Sequence, residues 1–257
     1  MISTYIENFT QYIFVLESNF IIAYFCIIVA LQSIIGVGVL VLGTPFLLIL
    51  KFNIIDIFFI LLPISIITSL LNLIIIKFSN ASFEKSTFKE FKKFFIICIP
   101  SIFIGMLILK YFGNYLNFKI LVSFVIFFSV IFVTLKNQIK FRVNFFRISI
   151  LSLVGIIHGL TNSGGTLMSL TLSASYEKNY ARLNISFFYF VLATFQYLIT
   201  ILIFYDQFIF PKSVNLIMIL VIGTVVGNII NFFLESKIYR MIVNFIAILS
   251  AIILLTS

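Results

Sequence analysis

His158-Gly159-Leu160-Thr161-Asn162-Ser163-Gly164-Gly165-Thr166 is the stretch whose reading decides the fold. It falls in the middle of an apolar run, residues 148–176, where composition would otherwise predict one continuous helix. The glycines permit backbone conformations that end a helix, and the hydroxyls and amide offer substitute hydrogen-bond partners. A second run, residues 20–50, is interrupted in the same manner by Gly36-Val37-Gly38 and then by Gly43-Thr44-Pro45. As one straight helix this 31-residue run would be about 46 Å long, too long for an untilted crossing of a hydrocarbon core of roughly 30 Å. Cut at the glycines, each half is about 15 residues and too short to cross alone.

Outward from these breaks the chain stays apolar. Of 257 residues 62% are hydrophobic and 10% charged, a balance no soluble domain keeps. Six further apolar runs predict spanning helices at 54–78, 94–110, 116–135, 183–205, 214–234 and 238–256, with Pro100 and Gly105 suggesting a kink in the second. The expected fold is therefore an all-α polytopic membrane protein, one membrane domain over residues 1–257, with no room for a sizeable soluble part. The N-terminus has only Glu7 and Glu17 as charges before the first long apolar run, so no basic signal-peptide region is expected.

The net charge of +9 raises the question of nucleic acid, and the placement of the basic residues answers it. Lys77, Lys85, Lys89, Lys92 and Lys93 form one cluster between apolar runs, and Lys136, Lys140, Arg142 and Arg147 form another. This is the pattern of cytoplasmic loops, and it argues against a nucleic-acid partner. If both broken runs cross completely, the 17 Lys and Arg residues divide as 10 on one side and 7 on the other. If each dips to mid-membrane and returns, the division is 13 against 4, with both termini outside. The positive-inside rule favours the re-entrant arrangement in a cell (inner) membrane.

Re-entry has a consequence for symmetry. Each half becomes a broken hairpin followed by three spans, about 20–136 and about 147–257, and three crossings invert the second half relative to the first. A displacement of 126 residues pairs Gln32 with His158, Gly38 with Gly164, Asn53 with Asn179 and Thr68 with Thr194. Inverted repeats whose broken helices meet at the midplane are a recurring transporter architecture.

The chemistry is expected at the breaks. No Asp, Glu, Lys or Arg falls deep inside a predicted span, Asp56 and Arg182 being at span ends, so His158 is the one ionisable group expected at depth. A half-helix starting near Gly164, Gly165 and Thr166 would aim unpaired N–H groups at the midplane, with Asn162, Ser163 and Thr166 as neutral donors. Another, starting near Gly36 and Gly38 beside Gln32, would face it. Together they describe a small-anion site that needs no fixed cation and no cofactor, with Thr68 and Thr194 as the best-placed polar residues on other spans. The bland reading is that the glycines only let helices pack closely and that His158 bonds a neighbouring carbonyl. Cys26 and Cys98 form no CxxC and read as buried hydrophobes.

At these breaks the sequence resembles the TauE/SafE sulfite-exporter family, also called the toluene-sulfonate uptake permease family. Gln32 to Pro45, with Gly36, Gly38, Gly43 and Thr44, is similar to the family's first glycine-rich segment, and His158 to Leu167, with Gly159, Asn162, Ser163, Gly164, Gly165 and Thr166, to its second. The resemblance implies transport of sulfur-containing or organic anions such as sulfite, thiosulfate or sulfonates. The chain departs from the pattern in having fewer glycines at both breaks and Thr171 where Pro45 has its counterpart. Proton or ion coupling through His158 is open at this stage. The competing classes are an intramembrane enzyme using His158 and Ser163, which lacks an acidic partner, and a structural subunit, which would not need two polar breaks.

Overall fold

The structure is a computed structural model that describes residues 19–36, 38–78, 85–138, 148–207 and 214–235, with short pieces between 237 and 252. Among the described residues every regular element is helical. They are α1 (Asn19–Ile35), α2 (Val39–Ile49), α3 (Ile54–Phe78), α4 (Lys85–Phe112), α5 (Phe118–Gln138), α6 (Ile148–Thr161), α7 (Gly164–Ser175), α8 (Lys178–Ile203) and α9 (Val214–Phe233), with 3-10 turns at Gly113–Tyr115 and Tyr205–Gln207. The expected span at 238–256 lies largely outside the described residues.

Both long runs are broken, the first between Ile35 and Val39 and the second between Thr161 and Gly164, whereas Gly43-Thr44-Pro45, expected as a further interruption, lies inside α2, where Pro45 falls in the helix body. The halves α1, α2, α6 and α7 have 17, 11, 14 and 12 residues, which at 1.5 Å per residue is about 26, 17, 21 and 18 Å, each short of a hydrocarbon core. Among the described residues three helical stretches are long and apolar enough to cross, Ile54–Lys77, Phe91–Tyr115 and Lys178–Ile203. α4 starts at Lys85, earlier than its apolar core suggests. Lysine is a good helix former whose long stem lets a helix run on past the apolar layer. Pro100 lies inside α4 without ending it.

Helix pairing follows a pattern. The most extensive packing joins α4 to α6, α9 to α1, and α3 to α8. The first two pairs depend on close approach: a β-carbon on Gly105 would strike the carbonyl of Ile156, and one on Gly227 the carbonyl of Ala30. Residues 30 and 156 are 126 apart, so the same spot on α1 and α6 receives a glycine from α9 and α4 respectively.

Burial separates an outer layer from an inner one. α4, α5 and α9 present Ile96, Phe103, Phe124, Ile131, Val221 and Phe232 outward, an apolar surface that water would not tolerate and lipid does. All of residues 164–173, by contrast, are buried. Length, composition and this outward apolar face make the chain an all-helical polytopic membrane protein, in which α2 and α7 are enclosed by the longer helices and touch each other.

Candidate functional site

The two breaks share a left-handed turn and the same close contacts, although Gly38 caps α2 where its counterpart Gly164 already begins α7. Gly36 has φ of 80° and Asn162 has φ of 66°, both in the left-handed region, which glycine enters freely and asparagine more readily than other L-residues. In each, the N–H at the turn closes onto the carbonyl four residues back, Gly36 onto Gln32 at 2.7 Å and Asn162 onto His158 at 2.9 Å. Two residues further on, a β-carbon at Gly38 would collide with the Ile28 carbonyl and the Gln32 nitrogen, and one at Gly164 with the Val154 carbonyl and the His158 nitrogen. Every partner is displaced by 126.

The side chains seated on this shared backbone differ. Gln32, buried, accepts from the Val39 N–H through Oε1 at 3.1 Å, so it covers the first donor of α2. Its Nε2 donates to the Ser65 carbonyl and to the hydroxyls of Ser65 and Ser69, both on α3. At the first break Gln32 thus covers one donor of the α2 N-terminus, while the Ser33 hydroxyl beside it is buried without a partner.

The second break gathers more unpartnered polar atoms. His158 is fully buried and neither Nδ1 nor Nε2 has a hydrogen-bond partner; Asn162 Oδ1, Thr166 Oγ1 and the Tyr189 hydroxyl are likewise buried and unpartnered. Gln196 of α8 holds the His158 carbonyl at 3.0 Å and leaves its own Oε1 unpartnered. Ser163 has no side-chain bond to the start of α7 and donates instead to the Thr161 carbonyl at 3.2 Å. It is not bonded to His158, so the pair does not have the contact that a nucleophile and its base require. The Tyr189 ring meets the His158 ring edge-on at 6.5 Å between centroids. Its hydroxyl lies against Gly165, where a β-carbon would displace it.

The two breaks converge. Asn162 Nδ2 reaches Thr44 Oγ1 of α2 at 3.4 Å. On α8, Ile185 is the contact that a β-carbon on Gly36 would meet, and Tyr189 is the one that Gly165 would meet. Four residues apart on a helix, these side chains share a face. Thr68 and Thr194 are not drawn in: each hydroxyl bonds the carbonyl four residues back in its own helix, Ile64 and Phe190, and makes no hydrogen bond to either break.

Two features go beyond the sequence reading. Tyr189 sits in the run Phe187-Phe188-Tyr189-Phe190, where nothing separates it from packing aromatics. Arg182, expected at a span end, is buried within α8. It donates from Nε and Nη2 to the Ser33 carbonyl at the end of α1, and to the side chains of Asn228 and Asn231 of α9. A fixed cation therefore stands one turn from the first break.

A family model described as sulfite exporter TauE/SafE matches residues 20–254 of the chain. Nothing among the curated proteins or the solved structures matches.

Proposed function

The chain belongs to the sulfite exporter TauE/SafE family, whose members are membrane permeases for sulfur anions, and from that premise we propose that it moves a small sulfur oxyanion or organosulfonate through a site at the second break. One observation carries this reading, the buried cluster of His158, Asn162, Thr166 and Tyr189 with its unpartnered polar atoms. Sealing such an atom away without a partner costs about 1–3 kcal/mol. A membrane protein keeps several of them together where a polar guest completes the bonds.

The guest this set suits is an anion. Thr166 and Tyr189 offer hydroxyl protons, the imidazole offers one N–H, and the first N–H groups of α7 at Gly164 and Gly165 have no acceptor within their own helix. The positive end of the α7 dipole adds to them. Ser163 shapes the turn that places these donors, while Gln32, Gly36 and Gly38 hold the opposing break rigid. Thr68 and Thr194 belong to the spans beside the site.

The wider frame of this reading is a single domain of two inverted repeats, about 20–136 and 147–257, in the inner membrane with both termini outside. Alternating access then exposes the second break to each side in turn. The 126-residue register of backbone and glycine contacts supports it. The test is flux of labelled sulfite, thiosulfate and short sulfonates in vesicles, comparing the parent with His158→Ala and Asn162→Ala. Loss of flux in both with folded protein retained is expected; unchanged flux in both sinks the site. Flux driven by a pH gradient in the parent, together with proton movement that accompanies anion flux, is the expected sign of proton coupling.

A further inference from the structure

The unpartnered atoms at the second break are of two kinds, and anion binding uses only one of them. Thr166 Oγ1, the Tyr189 hydroxyl and the N–H of a neutral imidazole at His158 can donate. Gln196 Oε1, Asn162 Oδ1 and the bare imidazole nitrogen can accept. All are buried with no hydrogen-bond partner among the described residues.

One carbonyl gathers the acceptors. The His158 oxygen receives the Asn162 N–H at 2.9 Å and Gln196 Nε2 at 3.0 Å, so both amides stand at the residue whose own ring is unpaired. The bond from Gln196 also fixes the sense of its amide. Only the NH2 group can meet a carbonyl oxygen, so the atom left over is an acceptor, and the ring leaves an acceptor whichever nitrogen holds its proton. Tyr189 and Gln196 are seven residues apart on α8 and share a face. Gly164, at the head of α7, lies against the His158 β-carbon. Donors and acceptors are thus collected around His158 by α6, α7 and α8, which pack on one another. Gln32 at the first break spends both ends of its amide within the chain, whereas Gln196 spends one.

A bare oxyanion brings lone pairs only. It satisfies the donors but leaves Gln196 Oε1 and the imidazole nitrogen buried and unpaired, lone pair facing lone pair, which is costly for each. We propose that the guest of the second break carries a hydrogen-bond donor of its own, an oxyanion bearing an O–H or N–H group. Its oxygens meet Thr166, Tyr189 and the start of α7, and its proton is held by Gln196 Oε1, the imidazole nitrogen or Asn162 Oδ1. Hydrogen sulfite in its S–OH form and sulfonates with an adjacent hydroxyl or amino group meet this demand. Sulfate, thiosulfate as its dianion and plain alkanesulfonates do not. The proposal rests on the anion site at the second break and narrows its substrate class.

Sulfamate and methanesulfonate are matched probes, both tetrahedral monoanions at neutral pH, one with NH2 where the other has CH3. A ligand that binds only the folded state stabilises it by mass action, so thermal unfolding of the full chain in detergent reports the affinity of each. Sulfamate should bind about tenfold or more tighter than methanesulfonate, because a site with buried acceptors rejects an analogue that cannot donate. Gln196→Leu removes one acceptor while the His158 carbonyl keeps its bond from Asn162, and the ratio should fall to about threefold or less. Asn162→Gly removes Oδ1 and should lower the ratio in the same direction, which keeps the test in force where Gln196→Leu fails to fold. A structural role for either side chain would weaken both ions alike and leave the ratio unchanged. Equal binding of the two ions, a preference for methanesulfonate, or a ratio unaltered in both variants overturns the proposal and leaves a site for bare oxyanions. Ordered water is the other species that both donates and accepts in such a place; with water as the resident neither ion stabilises the chain, and the proposal falls. The transport reading falls with it only if sulfite flux in vesicles is absent too.

Discussion

At residue 36 and again at residue 162 the backbone takes a left-handed turn, and in both places a new helix starts within three residues, beside a carbonyl and an N–H displaced by the same 126 positions. At position 32 the side chain is glutamine, which bonds forward to Val39 and sideways to Ser65 and Ser69. At position 158 it is histidine, which bonds to nothing through its ring. One backbone design thus supports two chemistries. Where the chain supplies a partner the break is held by the chain itself, and under the transport proposal the other takes its partner from outside. The shared turn leaves the difference to the side chains at positions 32 and 158.

The largest effect should come from striking what the breaks share. Gly38→Ala and Gly164→Ala each force a methyl group onto backbone atoms that belong to a packed helix and cannot step aside. Overpacking of this kind costs about 1–3 kcal/mol and more where backbone must move. Both variants should lose most of their folded protein in detergent size-exclusion profiles, and to a similar degree. Retention of one and loss of the other would show that the breaks are not equivalent in structure.

Next in size is the exchange of chemistry between them. His158→Gln gives the second break the residue of the first, and the amide can then close onto the start of α7 as Gln32 closes onto α2. Flux of the sulfur oxyanion should fall at least thirtyfold, about 2 kcal/mol in transition-state terms, with thermal stability unchanged or raised. Gln32→Leu is the mirror experiment. It strands the hydroxyls of Ser65 and Ser69 and the N–H of Val39, at about 1–3 kcal/mol for a buried group left unsatisfied, so stability should fall while the residual folded protein keeps its affinity for the anion. A large loss of affinity in Gln32→Leu at constant fold would make the first break a binding element as well.

How much of this was legible in the sequence depends on the kind of signal. The breaks were, since glycine and asparagine in an apolar run have few other reasons to occur together, and so was their pairing, since a displacement of 126 lines up Gly38 with Gly164. α3 was legible to the residue because Asn53 and Lys77 bracket an apolar run of spanning length. The early start of α4 was not, because lysines read as loop when only hydropathy is weighed. Tyr189 and Arg182 were missed for a common reason: their roles depend on contacts across the bundle, to residues such as Gly165 and Ser33 that stand 24 and 149 positions away. One-dimensional patterns report the environment of a segment, and a site assembled from several segments leaves no local trace.

A milder change tests the hydroxyl at the shared wall of the site. Tyr189→Phe keeps the ring beside His158 and the volume against Gly165 but removes the buried, unpartnered oxygen. If that oxygen only fills space, its loss should be neutral or slightly stabilising, because an unsatisfied buried hydroxyl disappears. If it donates to the anion, the apparent KM for flux should rise about five- to tenfold, roughly the 1–1.5 kcal/mol of one hydrogen bond. KM raised while stability holds or rises is the outcome expected here.

The smallest and most discriminating change makes the second turn literally the first. Asn162→Gly installs at position 162 the residue type found at position 36. Asparagine held at φ of 66° bears a left-handed strain that glycine lacks, offset by glycine's greater freedom when unfolded, so the net effect on stability should stay within about 1 kcal/mol. The backbone bond to the His158 carbonyl survives, because it comes from the main chain. What disappears is the amide that bridges to Thr44 and the unpartnered Oδ1. A purely structural role for the break therefore predicts unchanged flux, whereas an anion seat that uses this amide predicts a threefold to tenfold loss in the same folded protein. Circular dichroism for the fold and vesicle flux for the function separate the two in one variant, and flux equal to the parent's would reduce the second break to what the first one is, a joint.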